Sequence, residues 1–97
     1  MKGVRLTPSA LRDLESIADY TLDQWGHDQM AHYLRKLNGR FEWLARNPLL
    51  GRARDDIGKD YRCFPEGEHL VFYIVGKDHI TIIGLPHRAM DIGGFFV

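Results

Sequence analysis

The chain is predicted to be a single α+β domain, in which an N-terminal strand and an antiparallel helix hairpin pack on a C-terminal antiparallel β-sheet. Three observations carry that expectation. Its 97 residues suit one compact core and are too few for two. Apolar residues recur with a period near 3.6 as far as Asn47 and with a period of 2 beyond Lys59. Between these halves, Pro48 to Lys59 carries Gly51 and Gly58 among alternating charges, which is loop chemistry.

Taken in order, Gly3 to Leu6 is a short candidate strand. Thr7 and Pro8 mark a helix start, because a threonine hydroxyl can accept from an orphan N–H and proline suits the first helical position. Leu11, Leu14, Ile17, Ala18, Leu22 and Trp25 follow at spacings of three and four, predicting a helix over Pro8–Trp25 that Gly26 ends. Asp28 is placed to cap a second helix, Asp28–Arg46, with Met30, Leu34, Leu37, Phe41 and Leu44 along one stripe. Asn47-Pro48 stops it, since the residue before proline is pushed out of the helical region. The short link between the helices forces an antiparallel hairpin. Strands are expected at Asp60–Phe64, His69–Val75 and His79–Leu85, with turns at Pro65-Glu66-Gly67-Glu68 and Gly76-Lys77-Asp78. Leu14, Leu34, Leu37, Phe41, Phe72, Ile74 and Ile82 are the expected core. Both faces of the last two strands are apolar, so the sheet should be covered on one face and partly covered on the other.

Composition narrows the class. Apolar residues make up 44% and charged ones 27%, which excludes a disordered segment. No apolar run reaches the length of a membrane span, and Met1-Lys2-Gly3-Val4-Arg5 lacks the apolar stretch of a signal peptide. Cys63 has no second cysteine to bridge, so the cytoplasm is the expected compartment. The zero net charge is unevenly laid out. Pro8 to Asp28 holds Asp13, Glu15, Asp19, Asp23 and Asp28 against Arg12, whereas Arg35 to Arg62 holds eight bases against four acids. Such a basic segment either steers an acidic partner or is a solvated face with local ion pairs.

No assembled catalytic set is legible. His27 and His32 do not share a helix face, and His69, His79 and His87 fall at strand ends and in the tail without a ligand cluster, so no metal or other cofactor is expected. There is no phosphate-binding glycine loop and no nucleophile elbow. Cys63 alternates with Arg62 and Phe64 in a strand, as a small buried residue does. Trp25, Tyr33 and Trp43 do not all fit the core-facing stripe of the hairpin. They either wrap the side of the core or line a groove for a partner peptide.

The order of elements, together with Gly51-Arg52, Tyr61-Arg62-Cys63-Phe64, His69-Leu70-Val71-Phe72-Tyr73, Ile80-Thr81-Ile82-Ile83 and Pro86-His87-Arg88-Ala89-Met90-Asp91, resembles the ParE toxins of the ParE/RelE superfamily. The closing His87, Met90 and Asp91 are the most specific part. Gly84-Leu85-Pro86 departs from the pattern, since relatives more often carry an arginine and apolar residues there. The resemblance implies a non-catalytic toxin of a type II toxin–antitoxin system of the plasmid-maintenance kind. It implies DNA gyrase as target and a ParD-like antitoxin, which pairs a ribbon-helix-helix domain with a C-terminal segment that folds onto the toxin. On this reading Arg62, His69, His87, Arg88, Met90 and Asp91 contact the target. Trp25, Tyr33, Arg40, Trp43, Arg46 and Phe72 hold the antitoxin. Neither a membrane nor sequence-specific nucleic acid is an expected partner. The competing class is a RelE-like ribosome-dependent mRNA endonuclease, for which Arg62 and Arg88 would hold phosphate while His69, Tyr73 or His87 moves protons. An inactive binding module of the same fold is a third reading.

Overall fold

The computed structural model describes residues 3–89. Its elements are β1 (Gly3–Leu6), α1 (Pro8–Trp25), α2 (His27–Arg46), β2 (Arg52–Ala53), β3 (Tyr61–Glu66), β4 (His69–Val75) and β5 (His79–Gly84). The helices form the expected hairpin on a five-stranded sheet of order β1-β5-β4-β3-β2. The sheet is mixed, not wholly antiparallel. β1 runs parallel to β5, from Gly3 opposite His79 to Leu6 opposite Ile82, and the other pairings are antiparallel. A pairing between segments so far apart in the chain leaves no mark on local periodicity. β2 lies inside the expected loop and is too short to show a period at all.

The helix boundaries follow capping chemistry. The Thr7 hydroxyl accepts from the Ala10 N–H at 3.1 Å, with Pro8 opening α1. Gly26, at φ 87°, donates to the Leu22 carbonyl and serves as the junction to α2. Asp28 is therefore not the cap. It lies in the first turn of α2, where a carboxylate favours the helix dipole. β3 runs on to Glu66, so the turn is confined to Gly67 and Glu68, with Gly67 at φ 57°.

Val71, Tyr73, Ile80 and Ile82 face the hairpin and bury against Ala10, Ile17, Leu37, Phe41, Leu44 and Ala45. Leu14 and Leu34 are half-buried at the margin of this cluster. Phe72 is fully buried but belongs to the opposite face, where the Arg54 guanidinium lies 5.4 Å from its ring centroid. Ile74 shares that face and is half-buried. Because both sides of β4 are apolar, alternation alone could not say which side meets the helices.

Candidate functional site

Where the α1–α2 junction passes the β3–β4 turn, the surface opens into a groove of about 470 Å³. Its walls include Tyr20 and Trp25 of α1, Tyr33 of α2, and Glu68, His69 and His87. Tyr20 is 66% exposed and Trp25 is 71% exposed. Aromatic rings left open in this way are candidate seats for a partner side chain.

The floor is tied by Tyr33. Its hydroxyl lies 3.1 Å from the Glu66 carbonyl, 3.1 Å from the Glu68 N–H and 2.7 Å from His69 Nδ1. One phenolic proton cannot serve two acceptors. Every group is satisfied when Tyr33 donates to Glu66 and accepts from the Glu68 N–H and from His69 Nδ1–H. His69 Nε2 is then an acceptor on a neutral imidazole, with no hydrogen-bond donor on it among the described residues. Burial pushes the His69 pKa below the ordinary histidine value, and the neighbouring His87 pushes it the same way. Burial also raises the Tyr33 pKa, so its phenol stays protonated.

His87 is held against His69 by backbone and ring. The two residues form an isolated antiparallel bridge, with Leu70 N–H donating to the Pro86 carbonyl and Arg88 N–H to the Glu68 carbonyl, both at 2.9 Å. Their rings meet edge to face at 5.5 Å. His87 Nδ1 accepts from the Ala89 N–H at 3.1 Å, while Nε2 lies 3.7 Å from the Glu68 carboxylate. Asp13 of α1 accepts from the Leu85 N–H at 2.9 Å and fixes the strand exit that leads here.

The expected antitoxin-binding set is only partly gathered. Trp25 and Tyr33 line the groove. Trp43 packs on Phe64 at 5.1 Å as part of the core wall, and the Arg40 guanidinium lies 4.6 Å from the Trp43 ring centroid and 4.8 Å from that of Phe64. Arg40 also pairs with the Glu66 carboxylate at 2.8 Å, so its charge is already partnered. Arg46 is exposed and borders a separate hollow with Lys36 and Trp43. Phe72 is corrected outright: buried on the far face of the sheet, it offers no surface to a partner.

The expected target contacts divide as well. His69 and His87 share the groove, and Arg88 is exposed beside it with its guanidinium 3.3 Å from the Gly67 carbonyl. Arg62 is elsewhere. It donates to the Leu49 carbonyl at 3.2 Å and to the Gly51 carbonyl at 2.7 Å. Its partner across the sheet is Tyr73, four residues along β4 from His69, or roughly 13 Å. Tyr73 is fully buried, with its hydroxyl bonded to Pro48 and Gly51. Met90 and Asp91 lie outside the described residues. Sequence reasoning missed Tyr20 and Glu68. Tyr20 lies off the apolar stripe of α1, and that offset was its only signal.

This arrangement can grip a segment with an apolar body and a hydrogen-bond donor. Of the groups that phosphoryl chemistry would call on, His69, His87 and Arg88 share this rim, whereas Arg62 and Tyr73 are committed elsewhere. Among the described residues no three His, Cys, Asp or Glu side chains gather to hold a metal, and no helix is long and apolar enough to cross a membrane.

Comparison with known proteins gives a consistent picture. A family model described as "ParE toxin of type II toxin-antitoxin system, parDE" matches residues 4–92. A protein named Toxin ParE1 from Mycobacterium tuberculosis is 41% identical over 88 residues, covering 90% of each chain. One of the same name from Caulobacter vibrioides is 36% identical over 91 residues, covering 94% of each. Among solved structures, a chain of the chromosomal ParDE system from P. aeruginosa superposes with a TM-score of 0.74 at 18% identity, covering 90% of this chain and 96% of that one. A chain of a YoeB–YefM complex from Staphylococcus aureus superposes at 0.61 and also 18% identity, covering 91% and 98%.

Proposed function

Because the chain belongs to the ParE toxin family of type II toxin–antitoxin systems, we propose that it acts by binding DNA gyrase, without catalysis, and that a ParD-like antitoxin neutralises it. The observation that supports this reading is that Arg62 and Tyr73, two of the five groups an RNA-cleaving site would draw on, are held away from His69, His87 and Arg88. An RNA-cleaving site needs cations beside its acid and base. Arg62 instead spends its guanidinium on the carbonyls of Leu49 and Gly51, and Tyr73 is buried. The groove at Trp25, Tyr20 and Tyr33 suits an apolar peptide segment, and we assign it to the antitoxin. The solved P. aeruginosa neighbour belongs to a chromosomal ParDE system, which supports a partner of that kind. Both activities belong to the cytoplasm, where gyrase works.

The test is a supercoiling assay with purified gyrase, run beside a ribosome-programmed mRNA cleavage assay. The expected result is inhibition of supercoiling and intact mRNA. Cleaved mRNA with unimpaired gyrase would replace this reading with the nuclease.

A further inference from the structure

Leu49 and Leu50, in the loop from α2 to β2, are 68% and 58% exposed. The backbone that carries them is nevertheless held on every side. The buried Tyr73 hydroxyl donates to the Pro48 carbonyl at 2.7 Å and accepts from the Gly51 N–H at 3.0 Å. The Arg62 guanidinium holds the Leu49 and Gly51 carbonyls, and the Leu50 N–H donates to the Asn47 carbonyl at 3.1 Å. A buried tyrosine and an arginine are thus committed to fixing a loop whose two large side chains lie in solvent. Ordering such a loop beforehand removes an entropic cost from binding.

We propose that Leu49 and Leu50 form a preformed anchor that inserts into an apolar, acid-rimmed cleft on the chain's protein target, which on the reading above is gyrase. Charge sets the rim. Arg46, at the end of α2, and Arg52, in β2, flank the leucines, are exposed, and make no salt bridge among the described residues. On its other flank, Leu49 lines a hollow of about 280 Å³ together with Asp55, Lys59, Asp60 and Arg62, where acids and bases are matched in number. Position favours the target over the antitoxin. The groove ends at Tyr33 and His69, about 20 Å along α2 from Arg46 and about 13 Å along β4 from Tyr73, so a short peptide confined to that groove leaves the anchor open.

The proposal rests on the gyrase reading and is tested with the double variant Leu49→Ser, Leu50→Ser. Leu11→Ser, which removes a leucine 49% exposed on α1, is the control. Binding to purified gyrase is measured by biolayer interferometry, folding by thermal unfolding and self-association by sedimentation. The double variant should unfold at the wild-type temperature and lose at least about tenfold in affinity, with Leu11→Ser unchanged. Arg46→Glu with Arg52→Glu should weaken binding and flatten its salt dependence. Equal affinity of wild type and double variant would overturn the anchor and leave the gyrase reading standing. Wild type that neither binds nor inhibits gyrase would overturn both. Self-association lost in the double variant would name a second copy as the occupant and overturn the target assigned here.

Discussion

At the scale of the residue, the groove divides its side chains into those that build it and those left open. Tyr33 and Trp43 both lie off the apolar stripe of α2, yet one ties down the β3–β4 turn and the other packs on Phe64. Trp25 alone of the three tryptophan and tyrosine candidates is largely exposed, at 71%. Trp25→Ala should therefore weaken the complex with a ParD-like antitoxin by more than about 1 kcal/mol, measured by calorimetry with the purified antitoxin. Unchanged affinity would remove Trp25 from that interface. His69 gives a pH signature. Its folded pKa lies below the ordinary histidine value, mainly through burial and then through His87, so below about pH 6.5 the unfolded chain binds a proton that the folded chain resists. Stability should then be full above about pH 6.5 and fall as the pH drops toward the folded pKa. His69→Asn keeps an N–H donor near the place of Nδ1 and removes the titration. Urea unfolding at pH 7.5 and 5.0 should show a smaller loss for His69→Asn than for wild type, and equal losses would refute the assignment.

Among the elements, the loop from α2 to β2 shows how one glycine can matter more than another. A Cβ on Gly51 would come within 2.8 Å of the ring carbons of Tyr73, a fully buried side chain with no room to swing away. A Cβ on Gly39, inside α2, meets nothing within 4 Å. Gly51→Ala should cost about 2 kcal/mol through overpacking. Gly39→Ala should stabilise by about 1 kcal/mol through helix propensity. Guanidinium unfolding of the pair checks both signs together, and a stabilising Gly51→Ala would contradict the cradle around Tyr73. The same loop marks where sequence reading stopped. The helix hairpin, β1, β4 and most of β3 and β5 were legible, because capping residues and apolar periods are local signals. The face of β4 that meets the helices was not, since Val71 and Tyr73 alternate with the equally apolar Leu70 and Phe72. Nor were the partners of Tyr73 and Arg62, whose bonds span 22 to 25 and 11 to 13 positions of the chain. In the groove His69 and His87 were named through the family resemblance and Trp25 as a large aromatic of the hairpin, while Glu68 was taken for part of a turn.

For the molecule as a whole, the path of the chain out of β5 decides how the toxic surface can be tested. If the tail carries target contacts, removing it should abolish gyrase inhibition, but the site of the cut matters. Pro86 is fully buried, Leu85 is 3% exposed and bonded to Asp13, and the Pro86 carbonyl accepts from Leu70. A chain cut before Pro86 loses buried apolar surface together with the bridge between His69 and His87. It should unfold at lower denaturant, so its inactivity would say nothing about contacts. Cutting after Ala89 keeps those ties and removes the segment that includes Met90 and Asp91. The shorter deletion should unfold cooperatively, as judged by circular dichroism, and should fail to inhibit supercoiling by purified gyrase. His87→Ala and Arg88→Ala in the full-length chain should each give a graded loss of inhibition, because a contact surface sheds affinity residue by residue. A proton-transfer role would instead cost on the order of a hundredfold in rate from one histidine change. A folded chain ending at Ala89 that still inhibits gyrase would exclude Met90 and Asp91 from the target surface, leaving the inhibition to residues 1–89.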